Sequence, residues 1–161
     1  MTRPRFLFAF TTLSGALLTA APALACSPLL YTDPATGRAY GAESPEGLAR
    51  RQADWRAGSE VVVLARIEAG RLSDLYQVDY TLTPIIPVYD GELPDRDLSI
   101  RWMPGHSCNR FNLGIGDTVV AFVGADGAVV GFTVPGQLQD RPPEFDRRLR
   151  EIRRGLIGPK Q

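Results

Sequence analysis

The residues of this chain with the most distinctive chemistry are its two cysteines and its single histidine. Cys26 follows Ala23-Leu24-Ala25 directly, and Cys108 stands two residues after His106. A thiol can form a disulfide, carry a lipid or bind a metal, and an imidazole can bind a metal or transfer a proton. Which chemistry applies depends on the compartment of the chain and on the elements that position these side chains.

The first 25 residues have the three parts of a secretory signal peptide. Arg3 and Arg5 supply the positive charge, residues 6–21 form an uncharged and mostly apolar stretch, and small residues precede the cleavage point. The apolar stretch is shorter than the roughly 20 residues that a membrane-spanning helix needs. We therefore expect cleavage after Ala25, which makes Cys26 the first residue of a secreted or periplasmic protein.

Lipid attachment at Cys26 is the alternative to plain cleavage. Lipoprotein signals usually carry a branched aliphatic residue three positions before the modified cysteine, whereas this chain has Ala23 there. The signal therefore favours soluble export, and a lipid anchor through Cys26 stays open as the second interpretation.

Charge argues against one broad class of partner. The whole chain has 18 basic and 18 acidic side chains, and removal of Arg3 and Arg5 with the leader leaves 16 against 18, a net charge of −2. Nucleic-acid-binding domains commonly carry a basic excess, so we predict no nucleic-acid partner. The part after the leader is long enough for one domain with its own core, and it contains no second apolar span that predicts a transmembrane segment.

Two helices are predicted at the ends of this domain. Residues 26–43 form an expected amino-terminal arm, because proline and glycine interrupt any period there. Ser44-Pro45-Glu46 predicts a helix start with Ser44 as N-cap, and this helix ends near Gly58. The second helix follows Pro142-Pro143, and its apolar stripe consists of Phe145, Leu149, Ile152 and Leu156.

Between the helices, five segments have the composition of β-strands: residues 60–67, 76–83, 98–103, 118–123 and 128–134. The first contains Val61-Val62-Val63-Leu64, a run expected to be buried on both faces. Pro84 and Pro87 at the end of the second strand predict an edge or a bulge. Asp126-Gly127 predicts a tight hairpin between the last two strands.

Residues 44–157 are therefore predicted to form one mainly β domain. Closure removes exposed edges, so the favoured architecture is a five-stranded, closed or nearly closed antiparallel barrel, with a short helix before it and an amphipathic helix after it. An open α+β sandwich is the alternative. Contact of the second helix with an anionic membrane surface is a minor alternative to a solvated face; it would use Arg147, Arg148, Arg150, Arg153 and Arg154.

The order of these features resembles the netrin-like module, which also forms the amino-terminal domain of tissue inhibitors of metalloproteinases. The resemblance covers Cys26 to Val134, and the family's fold is an oligonucleotide/oligosaccharide-binding (OB) barrel with five strands. The matching segments are Ala25-Cys26-Ser27-Pro28, Ser59 to Ile67, Val88-Tyr89-Asp90-Gly91, Cys108, and Gly116 to Phe122.

The resemblance also implies a disulfide and a mode of action. In these inhibitors the first cysteine is bonded to a cysteine in the loop before the fourth strand, which implies a bond between Cys26 and Cys108. Their first residue chelates a protease's catalytic zinc through its amine and carbonyl, and the next side chain enters the specificity pocket. Those roles would fall on Cys26 and Ser27, followed by Pro28 where the inhibitors have a second cysteine.

We therefore predict a non-catalytic, exported protein-binding module, in its most concrete form an inhibitor of an extracytoplasmic metalloprotease that acts through Cys26. The alternative is an envelope-associated structural or interaction protein, lipidated or not, without inhibitory activity. The predicted partner-binding residues are Cys26, Ser27, Pro28, His106 and Asn109.

No cofactor and no enzymatic activity are predicted. His106, Met103 and Cys108 could suggest a metal site, but such sites generally need three or four ligands, and Cys108 is more simply half of a disulfide. Neither a serine nor a free cysteine is assigned to His106, so the sequence offers no nucleophile with its base.

Overall fold

The computed structural model describes residues 30–41, 44–74, 77–102 and 113–155. None of the helices in these ranges is both long and apolar enough to cross a membrane. The elements, in chain order, are β1 (Leu30–Thr32), β2 (Ala39–Gly41), α1 (Pro45–Ala57), β3 (Val61–Asp74), β4 (Gln77–Pro87), β5 (Leu98–Trp102), β6 (Thr118–Val123), β7 (Val129–Thr133) and α2 (Pro143–Arg153).

The five predicted strands are confirmed as β3 to β7, which form one antiparallel sheet in the order β5-β4-β3-β6-β7. β3, β4 and β5 are consecutive neighbours, and β6 returns to pair with β3, which is the Greek-key order. β1 and β2 form a separate two-stranded sheet. No ladder joins β5 to β7 within the described ranges, so the predicted closed barrel is not confirmed and the fold is a mainly β arrangement of two sheets and two helices.

The two edge strands of the large sheet nevertheless approach each other. Trp102 at the end of β5 meets Phe132 of β7 edge to face, with 5.6 Å between the ring centroids. At the starts of the same strands, the Arg96 guanidinium donates a hydrogen bond of 2.5 Å to the carbonyl of Asp126. The sheet is therefore strongly curled, and in the part of the chain that the structure describes its edges are linked by side chains.

Both faces of the sheet are buried. Val62 and Leu64 of β3 belong to a cluster that faces the helices, whereas Val63 and Ala65 belong to a cluster inside the curl. The prediction that this strand is buried on both faces is confirmed. We call the second cluster the inner core, and its best-buried members are Val63, Ala65, Ile67, Leu82, Val119 and Ala121.

α1 begins and ends where the sequence predicts. The Ser44 hydroxyl accepts a hydrogen bond of 3.0 Å from the backbone N–H of Gly47, and Pro45 occupies the first helical position. Gly58 is the C-cap. The helix lies on the sheet through Trp55, whose ring covers the Cα of Gly131 so closely that a Cβ there would overlap it.

α2 buries its predicted apolar stripe in the protein. Phe145, Leu149 and Ile152 all lie in the cluster that faces the helices, and Leu156 lies outside the described residues. A helix that binds in the plane of a membrane buries its apolar face in lipid. Because this face of α2 packs on the sheet, contact with an anionic surface would have to use the arginines alone.

The prolines of β4 lie at a β-bulge, as the sequence predicts. Leu64 pairs with Ile86 and Ala65 pairs with Pro84, so Ile85 is the additional residue without a partner on β3. Its side chain is buried against the helices. The bulge therefore lies next to Pro84, which has no N–H to donate. It also places the additional apolar side chain, that of Ile85, in the core.

The described part of the predicted arm, residues 30–41, is the β1–β2 hairpin. Its turn begins at Asp33, where the sequence places a turn signal, and the buried Asp33 carboxylate lies 3.2 Å from the guanidinium of Arg50 on α1. Gly47 of α1 packs against the Gly41 carbonyl so closely that a Cβ there would overlap it. The arm is thus docked on the first turn of α1.

Candidate functional site

The residues predicted to form the site lie outside the described part of the chain: Cys26, Ser27, Pro28, His106, Cys108 and Asn109. The first three precede β1, and the other three belong to the connection from β5 to β6. The described residues show where this connection leaves the sheet and where it returns.

Both ends of the β5–β6 connection are anchored in the inner core. Before it, Trp102 packs on Phe132 as described above. After it, the carbonyl of Leu113 accepts a hydrogen bond of 2.7 Å from the hydroxyl of Tyr80, whose side chain is only 7% exposed. A buried phenol hydroxyl needs such a partner, so Tyr80 holds the returning chain against the inside of the curled sheet.

The free end of the β3–β4 hairpin lies at the same end of the sheet. β6 pairs with β3 only as far as Arg66, so the hairpin continues past β6, supported by β4. Leu72 near the hairpin tip is 67% exposed, and Ile115 just before β6 is 70% exposed. We call this region the loop end; its described members are Leu72, Asp79, Arg101, Trp102, Leu113 and Ile115.

Ile115 is presented by a tight turn from Gly114 to Asp117. The Asp117 carboxylate accepts a hydrogen bond of 2.8 Å from the N–H of Gly114, and Gly116 adopts a φ of 92°, which favours glycine. The N–H of Gly116 donates to the Ile67 carbonyl at 2.8 Å. Gly116 therefore has a structural reason, and the turn leaves the Ile115 side chain in solvent.

An ion pair lies beside the exposed apolar side chains. The Nε of Arg101 is 2.8 Å from Oδ1 of Asp79, and Nη2 is 3.5 Å from Oδ2. The hydrogen bond from Arg101 is the main cause that lowers the pKa of Asp79, and the same bond raises the pKa of Arg101. Because the pair is exposed, it adds little stability. It holds one negative and one positive side chain in fixed positions at the loop end.

Two carboxylates before β5, those of Asp95 and Asp97, line an open cleft of about 500 Å³ beside β4. Oδ1 of Asp97 accepts a hydrogen bond of 3.0 Å from the Thr83 hydroxyl, and the side chain is exposed. Among the described residues, no group of three or more His, Cys, Asp or Glu could hold a metal ion.

α1 also carries arginine–aromatic contacts that the sequence patterns did not reveal. The Arg51 guanidinium lies 5.0 Å from the ring centroid of Trp55, and that of Arg56 lies 3.5 Å from the ring centroid of Tyr89. The first pair has a sequence signal, because residues four apart share a helix face. The second pair joins two distant segments, and no local spacing predicts it.

Comparison of the chain with family models, curated proteins and solved structures gave no match. The resemblance to the netrin-like module therefore rests on the residues quoted above.

Proposed function

We propose that this chain is a non-catalytic, exported protein-binding module that presents its loop end to a protein partner. The observation that carries this proposal is the anchoring of the β5–β6 connection at both ends, by Trp102 on Phe132 and by Tyr80 on Leu113, beside two exposed apolar side chains. A loop held by a rigid sheet is the usual way in which small β domains position binding residues.

The fold supports this proposal if the curled sheet is an OB-type barrel in which side-chain contacts join the edge strands β5 and β7. The Greek-key order, the Trp102–Phe132 contact and the Arg96–Asp126 hydrogen bond are all consistent with that form. In such a barrel, β5 and β7 are neighbours, and Trp102 and Leu113, where the β5–β6 connection leaves and returns, lie at one end of the inner core.

The exposed side chains at the loop end have the composition of a small interface. Leu72 and Ile115 supply apolar area, and Arg101 supplies a guanidinium whose geometry is fixed by Asp79. Interface centres combine apolar side chains with arginine and are surrounded by polar residues. Single exposed apolar residues are ordinary on protein surfaces, but two at the end of the sheet where the β5–β6 connection leaves and returns support a contact there.

The inhibitory form of the proposal adds the mature amino terminus to this surface. A disulfide between Cys26 and Cys108 closes a loop of about 83 residues, for which the chain-entropy model gives roughly 4.5 kcal/mol. It would hold the α-amine of Cys26 beside the loop end. An α-amine has a pKa of about 7.7–8.0, so a useful fraction is neutral near pH 7 and can occupy the open position of a catalytic zinc.

Blocking that amine tests the inhibitory form. The oxidised mature protein and a version with its amino group acetylated are compared against a panel of extracytoplasmic zinc proteases. We expect acetylation to weaken inhibition at least about tenfold, because the acetylated nitrogen no longer binds zinc. Equal inhibition by the two forms, or no inhibition of any protease by the free amine, contradicts this form.

The intact mass of the exported protein separates the two predicted states of Cys26. A free amino terminus with one disulfide is expected for the inhibitor, whereas a diacylglyceryl group on Cys26 supports the envelope-anchored alternative. The second result would exclude zinc chelation through a disulfide-held amino terminus.

A further inference from the structure

A divided cleft lies at the end of β4 that is remote from the loop end. Its larger part, about 310 Å³, lies between the last residues of β4, the first turn of α2 and Arg56 of α1. Its smaller part, about 100 Å³, lies between α1 and residues 138–140. Arg56 and Tyr89 line both parts, so their stacked side chains form the wall between them.

Arg56 offers hydrogen-bond donors to this cleft. Its guanidinium carbon is 3.5 Å from the ring centroid of Tyr89, and in the described part of the chain no acceptor is hydrogen-bonded to the guanidinium and no acid pairs with it. Stacking on an aromatic ring fixes the position of a guanidinium and leaves the donors at its edge available. That geometry suits the two oxygens of a carboxylate.

Tyr89 is held in place from the other side. Its hydroxyl donates a hydrogen bond of 3.4 Å to the carbonyl of Asp140, and burial raises the pKa of Tyr89, so the hydroxyl stays protonated. Asp140 has a φ of 50° and is the only described residue other than glycine with a positive φ. Aspartate adopts this conformation more readily than most residues, and here it lies in the turn whose carbonyl accepts from Tyr89.

The walls of the larger part combine apolar side chains with charged ones, which include Arg148, and its acids are solvated or paired. Pro87, Pro142 and the buried Phe145 supply the apolar surface. Glu144 at the rim is bonded to Arg147 and Arg148, which hold its pKa at about 2. The exposed Asp90 also lines this part, and Asp140 lines the other.

We propose that this cleft binds a carboxylate that is attached to an apolar group. The N–H groups of Arg56 donate hydrogen bonds to both carboxylate oxygens, and the apolar group lies against Phe145 and the two prolines. A dianion such as phosphate is disfavoured, because the carboxylates of Asp90 and Glu144 line the same part of the cleft. The carboxylate could belong to the carboxyl terminus of a peptide or to a small organic acid, since both present the same chemistry.

A pair of matched ligands tests the proposal. N-acetylphenylalanine and its amide share the same apolar group, and only the first carries a carboxylate. Titration into the purified protein, followed by NMR or calorimetry, is expected to show at least about tenfold weaker binding of the amide, because the charge-assisted bond to Arg56 is lost. Equal binding of acid and amide, no binding of the acid at millimolar concentration, or tighter binding of inorganic phosphate overturns the proposal.

Variants assign the site to Arg56. R56Q is expected to weaken binding of the acid at least about tenfold, R56K is expected to weaken it less because it keeps the charge without the fork, and R150Q on the exposed face of α2 is expected to leave it unchanged. Equal affinities of R56Q and R150Q overturn the proposal. An unaltered affinity of R56K would show that the charge alone is sufficient and that the paired N–H donors of arginine are not needed.

The source of the carboxylate is distinguished with 3-phenylpropionate and a tripeptide that ends in phenylalanine. Tighter binding of the tripeptide supports a peptide terminus, and tighter or equal binding of 3-phenylpropionate supports a small acid. This cleft is remote from the loop end, so these results do not depend on the protein-binding proposal.

Discussion

Arg96 lies over Gly127 and links the two edges of the curled sheet. Its guanidinium hydrogen-bonds to the carbonyl of Asp126 at 2.5 Å and occupies the space that a Cβ at position 127 would need. Arg96 comes from the segment before β5, and Gly127 comes from the turn between β6 and β7. One side chain therefore spans the gap between the two edges, where the described residues form no backbone ladder.

Substitution of Gly127 tests this link. G127A introduces a Cβ at a φ of 76° and displaces the Arg96 guanidinium. We expect the free energy of unfolding in urea to fall by about 1–3 kcal/mol, from backbone strain and the lost contact.

Gly136 is the matched control, because its φ is not positive and no atom lies within 4 Å of the position of its Cβ. G136A is expected to change the free energy of unfolding by less than about 0.5 kcal/mol. If G127A and G136A have equal stabilities, Arg96 does not occupy the place described.

The hydrogen bond from Tyr80 to Leu113 should contribute to stability and to the anchoring of the loop end. Y80F leaves the Leu113 carbonyl buried without this donor, which is expected to cost about 1–3 kcal/mol in chemical denaturation. Hydrogen exchange of the amides that follow Leu113 should become faster in the same variant.

Tyr31 offers the comparison for Y80F. Its hydroxyl is buried, and within the described ranges it has no hydrogen-bond partner, so Y31F is expected to be neutral or slightly stabilising. A loss of stability in Y31F as large as that in Y80F would show that the Tyr80 hydroxyl has no special role.

The acid side of the stability profile should depend on Glu144. Arg147, the larger cause, and Arg148 lower the pKa of Glu144 from 4.5 to about 2. A carboxylate with a lowered pKa in the folded state stabilises that state above its unfolded pKa, and the effect is lost as the pH falls through the folded pKa. The melting temperature of E144Q should therefore lie below that of the parent protein at pH 7, and the difference should disappear between about pH 4.5 and pH 2.

E60Q serves as the control in these melts, since Glu60 is exposed and no described cation pairs with it. It should track the parent protein over the same range. A difference between E144Q and the parent that persists unchanged at pH 2 would mean that the ion pairs of Glu144 are not its cause.

Local signals were sufficient for much of the fold. β6 occupies the predicted residues 118–123 because a glycine turn precedes it and Gly124 follows it, and α1 follows its Ser44 cap. β3 is longer than predicted. Apart from Leu72, its residues after Ile67 are polar or small and have no strand period of their own, and pairing with β4 keeps them extended.

The contacts that position the two candidate surfaces could not be predicted in the same way. Trp102 meets Phe132 and Arg56 meets Tyr89 only after the sheet has curled and α1 has docked. The β1–β2 hairpin was also missed, because three paired residues on each strand are too few to show alternation, and its position depends on Arg50 of α1.

Capture of a partner by the oxidised protein, with a matched pair of variants, tests the central claim most directly. L72E/I115E places charges in the apolar surface of the loop end, and V130E places one at an exposed position on β7, at the other end of the sheet. We predict that the parent protein and V130E retain the same partner from the extracytoplasmic fraction, and that L72E/I115E retains at least about tenfold less of it. Equal retention by all three proteins, or loss with V130E alone, would contradict binding through the loop end.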